Sequence, residues 1–320
     1  MVSLFDNDLT LKITLLSDEI VQIAVQCLCI LSRIDHDLVE AVTSRILSRF
    51  LTVPRSPREE EYPATPAHEF LFLALSYHTK TRTLPVHISR LVDSCSLPSP
   101  YLSSLSIRMS YDGLVASPAL TTNHLDRLSK AVRTFITPGQ TLDTARRVIG
   151  MLRDIWERFH DVEKASAADY ERGARKKRRT STSESTRKAR EEDADAAAVT
   201  FALATRIVAI VLVSLPLHTA TEAEQAKVQA IITESFDTFV REAIIASRDA
   251  AISGSSDRRR DVWAAQVVGA AALRFLYTLH MSAPALHSGD KNGLGDLAAA
   301  VLKVDNSLPE YGVEIVSLTR

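Results

Sequence analysis

Two short basic clusters are the residues of this chain whose types and spacing carry recognisable chemistry. Lys176, Lys177, Arg178 and Arg179 stand on one side of a Ser/Thr-rich spacer, and Arg187, Lys188 and Arg190 on the other. Within 172–190, nine Lys/Arg meet a lone Glu184, whereas the whole chain has a formal net charge of −1. The basicity is therefore local, set on an otherwise acidic body. Like charges this dense are costly unless a polyanion or an acidic groove faces them. The chemistry is ionic recognition, either of these side chains by a nuclear import receptor or by them of RNA or DNA phosphates. No aromatic residue lies between Tyr170 and Phe201, so there is no stacking platform for bases. Any nucleic-acid contact here would be salt-sensitive and blind to sequence. Arg178 and Arg179 also precede Thr180 and Ser181 at a spacing that basophilic kinases favour. Phosphate there would add about −1.5 to −2 charge at each site and mask the cluster.

A second basic group, Arg258, Arg259 and Arg260, lies between Asp257 and Asp261 at the expected start of a helix. Cations are unfavourable against the positive end of the helix dipole, and the two aspartates offset this only in part, which makes the group a further candidate for a partner contact.

Catalytic and metal-binding patterns fail at specific positions. His36-Asp37 has the adjacent pair of helical metal phosphohydrolases, but no His precedes it to supply the first ligand. His68-Glu69 is followed at position 72 by Phe72 where a zinc-protease helix needs a second His. Cys27 and Cys29 lack the spacing and the second ligand pair of a zinc site, and are expected in a helix core. Gly293-Leu294-Gly295 lacks the third glycine of a dinucleotide loop. No catalytic residue, metal or cofactor is expected.

The elements that must position the basic clusters are helices. Glycine is scarce, 10 of 320 residues, and 46% of the chain is hydrophobic, so the expected class is all-α. Three cysteines, Cys27, Cys29 and Cys95, make an odd number and point to a reducing compartment. The N-terminus has Asp6 and Asp8 and no basic leader, so a secretory signal is not expected. The run from Val199 to Leu217 is long enough to cross a hydrocarbon layer of about 30 Å. Arg206 near its middle would cost about 2.5–3.5 kcal/mol on insertion scales, so the run is expected as a helix buried among others, without a membrane.

Periodicity predicts an N-terminal block over 1–51, with helices at 2–16, 18–34 and 37–51, the second carrying Ile20, Ile23, Ala24, Cys27 and Leu31 on its apolar stripe. A Pro-rich link at 52–66 leads to a helical repeat region at 67–165, in which 84–94 is short. Helices at about 122–136 and from Pro138-Gly139 to His160 form an αα-hairpin. A disordered basic insert is expected over 166–193, and a C-terminal helical region over 194–320 with helices at about 195–215, 221–247, 257–281 and 294–304. The helix lengths predict a HEAT- or armadillo-like α-solenoid, with an irregular helical bundle as the rival. The chain opens almost at once on a helix with Leu4 and Phe5, which suits part of a longer array or docking at that end.

A long helical array interrupted by a KKRR insert and followed by FALATRIVAIVLVSLPLH resembles the fungal nucleolar helical-repeat family that scaffolds early pre-60S ribosomal particles in 27S pre-rRNA processing. The resemblance rests on 172–218, and the members of that family are much longer. It implies a nuclear or nucleolar, non-enzymatic scaffold that binds other proteins through its helical faces, with nucleic acid reached only through phosphate contacts. The alternative on the same fold is a cytosolic adaptor in transport or trafficking, with 172–190 as a regulated loop.

Overall fold

The structure, a computed structural model, describes scattered residues between 23 and 51 and then 84–94, 122–175, 182–252 and 259–282. Among these the chain is almost wholly helical and contains no strand, as the scarcity of glycine leads one to expect. Helical turns occur between 23 and 31 and between 37 and 51. The helices with defined bounds are α1 (Leu84–Ser94), α2 (Thr122–Phe135), α3 (Thr141–Arg175), α4 (Thr182–Ser214), α5 (Glu222–Ser235), α6 (Arg241–Ile252) and α7 (Arg259–Ser282). The expected helices at 2–16 and 294–304 and the link at 52–66 lie outside the described residues.

Helix α4 occupies the centre. It packs on α7 most extensively, then on α3 and α2, and touches α1. The reason is compositional, since its second half is apolar on nearly every side. Phe201, Ala202, Ala204, Ile207, Val208, Val211 and Leu212 are completely buried. Only Leu203, Arg206, Ile210 and Val213, spaced by three and four, are half-buried. Arg206 therefore lies on the least covered stripe of this helix, where its charge keeps some access to water. The run passes the length and composition test for a membrane span, yet most of it is covered by other helices. Against α4 lies the alanine-rich middle of α7, where Ala264, Val268, Ala271 and Ala272 are buried and small enough to let two helix backbones approach closely. Buried side chains from Leu47 to Leu279 form one contiguous core.

Buried hydroxyls in this core are satisfied mostly within their own helix. Thr205 Oγ1 donates to the Ala202 carbonyl and Ser235 Oγ to that of Ile232, at 2.8 and 2.7 Å. Ser214 Oγ instead donates across to Ser129 Oγ at 2.8 Å, tying the end of α4 to α2. Thr144 Oγ1 is buried without a partner among the described residues.

The turns obey local chemistry. Thr137 donates from its backbone N–H to Gln140 Oε1 at 3.1 Å, a capping box with Pro138 at the first position of the turn that leads into α3. Pro216 ends α4. Gln225 Nε2 then donates to the Leu217 and Ala220 carbonyls, at 2.7 and 3.1 Å, and closes the connection to α5. Thr221 caps α5 by the same box, its backbone N–H donating to Glu224 Oε2 at 3.0 Å. That bond and the one from the Thr221 hydroxyl hold the Glu224 carboxyl below the ordinary range.

Two expectations are corrected here. The helices at 122–136 and 138–160 do not form a hairpin with each other, because among the described residues α2 packs chiefly on α4, and α3 on α4 and α5. The short link makes a corner, and both apolar stripes turn to the same central helix. The single helix expected over 221–247 is interrupted by a π-helical turn at Phe236–Val240. Thr238 Oγ1 donates there to the Glu234 carbonyl at 2.9 Å, competing with the backbone amides for an acceptor. The wider turn lets Val228 and Ile232 face α3 from α5 while Ala243 and Ile244 face α7 from α6.

Two substitutions probe this packing. A Cβ added at Gly150, inside α3, meets nothing within 4 Å, so Gly150→Ala is expected to stabilise the fold by about 0.5–1 kcal/mol. Thr144→Val, which removes the unpartnered hydroxyl at constant shape, is expected to be neutral or stabilising by about 1 kcal/mol. Urea denaturation followed by circular dichroism checks both.

Candidate interaction site

The basic clusters sit on or beside the connection between the two longest helices. Helix α3 runs to Arg175 and α4 begins at Thr182, so helical backbone enters the expected disordered insert at 166–193 from both sides. The physical reason is legible in Ala194, Ala196, Ala197 and Ala198 and the Glu/Arg-rich segment before them, which are good helix formers. Only 176–181 within that stretch lies outside the described residues.

Joined by so short a link and packed on each other, α3 and α4 form an antiparallel pair. The pair is rooted in an aromatic cluster. The Trp156 ring lies 5.8 Å from that of Phe201 across the pair, 5.7 Å from Phe159, and stacks on His160 at 5.6 Å. Trp156, Phe159 and Phe201 are all buried. From Trp156 to Arg175 the helix rises about 28 Å at about 1.5 Å per residue. The ends of α3 and α4 that border the connection, Arg175 and Thr182, thus lie well removed from the aromatic root.

The individual candidates fall as follows. Lys176, Lys177, Arg178, Arg179, Thr180 and Ser181 lie outside the described residues. Arg187, Lys188 and Arg190 are on helical backbone in the first turns of α4. A receptor groove that holds an extended basic segment would have to unwind those turns, which sets the second cluster apart from the first. Arg258 lies outside the described residues, while Arg259 and Arg260 begin α7, the helix start anticipated for them. Among the described residues there is no group of three or more His, Cys, Asp and Glu able to hold a metal. His36, His68, Glu69, Cys29, Gly293 and Gly295 lie outside them.

Two features were missed or misread from sequence. Of the stripe assigned to the core at 18–34, Ile23 and Cys27 are exposed and Leu31 is half-buried; Ile30 and Ile34, off that stripe, are exposed as well. The segment has apolar residues on more than one face, including Val21, Val25 and Leu28, so periodicity alone did not select the inward side. His87, which no motif marked, is 6% exposed and its Nε2 lies 2.9 Å from Ser44 Oγ on the 37–51 turns. Its only sequence signal was a histidine in the apolar run of α1.

No family model matches the chain, and no curated protein or solved structure matches it.

The exposure of Cys27 gives a direct check. In the folded chain without denaturant, maleimide is expected to label Cys27 at a rate near that of a free thiol, read by peptide mass mapping. Protection until denaturant is added would return the thiol to the core.

Proposed function

We propose that this protein is a non-enzymatic helical interaction protein of the nucleus or nucleolus, a scaffold whose basic hairpin tip meets an acidic partner. What supports this reading is residue order: the KKRR cluster falls in the six residues that join two long antiparallel helices. Like charges this dense in so short a connection are costly unless an acidic groove or phosphates face them. Lys176, Lys177, Arg178 and Arg179 would dock in an import-receptor groove or on phosphates, with phosphorylation of Thr180 or Ser181 weakening either contact. The helical faces would bind other proteins, and Arg259 and Arg260 with Arg258 form a second place for such contact. Work in ribosome assembly agrees with the resemblance over 172–218.

For the architecture we favour an irregular bundle centred on α4 over a HEAT or armadillo solenoid. In a stacked array each helix pair touches its neighbours along the chain. Here α4 packs on α7, three helices further along, as well as on α2 and α3.

Since Thr182–Ser214 is one helix, deleting 172–190 would cut into a structural element, and charge removal is the cleaner test. The full-length chain with Lys176, Lys177, Arg178 and Arg179 all changed to Gln is expected to lose nuclear accumulation while keeping its helical circular dichroism. If it binds RNA, the slope of log affinity against log salt should fall by about 3. An unchanged distribution in cells would overturn the nuclear reading and favour the cytosolic adaptor.

A further inference from the structure

We propose that His87 is an acid-released latch that holds the 37–51 turns against α1. The argument starts from where the ring sits. His87 lies on α1 between Leu84, Ile88 and Leu91, all buried, and on the 37–51 turns Leu47 and Leu51 are buried in the same core cluster. Its Nε2 and Ser44 Oγ, 2.9 Å apart, make a polar tie between segments distant in sequence. The neutral imidazole suits this seam, because the Ser44 hydroxyl donates to Nε2 in one tautomer and accepts from it in the other.

Protonation changes the balance. The hydrogen bond to Ser44 can persist, since a protonated Nε2 still donates. What changes is that a full charge must then stay in an apolar seam. Among the described residues the charged groups around it give no relief. On its own helix Arg90 is positive and repels an imidazolium. On the 37–51 turns the described acidic groups, Asp37 and Glu40, lie two turns and one turn before Ser44, and neither acts on the ring. From α3 and α4, the other helices packed on α1, no charged group among the described residues acts on it. Burial first, and Arg90 second, therefore hold the His87 pKa below its ordinary value of 6.5.

The sign follows by linkage. With the folded value depressed, the opened state binds the proton more readily, so the seam is at full strength above about pH 6.5 and weakens as pH falls from there towards the folded value. In that window the population of the opened state rises about tenfold per pH unit.

Hydrogen exchange by mass spectrometry on the full-length chain tests this between pH 7.5 and 5.0, with rates corrected for intrinsic exchange. Peptides covering 37–51 and 84–94 are expected to lose protection about tenfold per pH unit below about pH 6.5, while 141–160 keep theirs. His87→Gln, which keeps a polar group without the titration, should give a flat profile over the same range. If that variant fails to fold, the imidazole titration of wild-type His87 by NMR serves instead, expected to fall below 6.5 together with the loss of protection. Protection of 37–51 that is unchanged down to pH 5.0, or an equal loss in His87→Gln, overturns the latch.

Discussion

Everything in this fold depends on covering the second half of α4. A helix with Phe201, Ile207, Val208, Val211 and Leu212 completely buried has almost no wet side to offer. Fully burying a side chain of this kind contributes about 1.5–3 kcal/mol, and such a helix is stable only when neighbours surround it. Helix α3 brings Trp156 and Phe159 to one side, α7 brings its alanine-rich middle to another, and α2 closes a third with Leu128 and Val132. The half-buried stripe that remains is narrow, and it is where Arg206 lies.

The smaller irregularities are consequences of the same demand. Helix α5 must reach α3 while α6 must reach α7, so one straight helix could not serve both. The π-helical turn at Phe236–Val240 shifts the register between them, assisted by hydroxyls that bond to backbone carbonyls. Likewise the tight Thr137 to Gln140 turn makes a corner between α2 and α3, since each has its own stretch of α4 to cover.

In the proposed reading the Lys176–Arg179 cluster, which falls in sequence between α3 and α4, meets an acidic surface. His87 is the opposite case, a titratable group set inside a seam where charge is unwelcome. The first is a matter of long-range electrostatics and is legible in the residue order. The second depends on Ser44 being beside it, a proximity that arises only on folding.

Residue order by itself determined the all-α class, through scarce glycine and periodic apolar spacing, and it placed α1, α2 and α7 within a residue or two. It also marked the basic clusters and the breaks at Pro138 and Pro216, because charge density and proline geometry act locally. It did not determine that α2 leaves α3 to pack on α4, that Cys27 and Ile30 face outward, or that 182–193 continues a helix. Helical periodicity identifies an apolar face without saying which helix covers it, and a segment apolar on two sides has no preferred side until its neighbours are present. The tertiary structure made those choices, because burying α4 required partners drawn from distant parts of the chain.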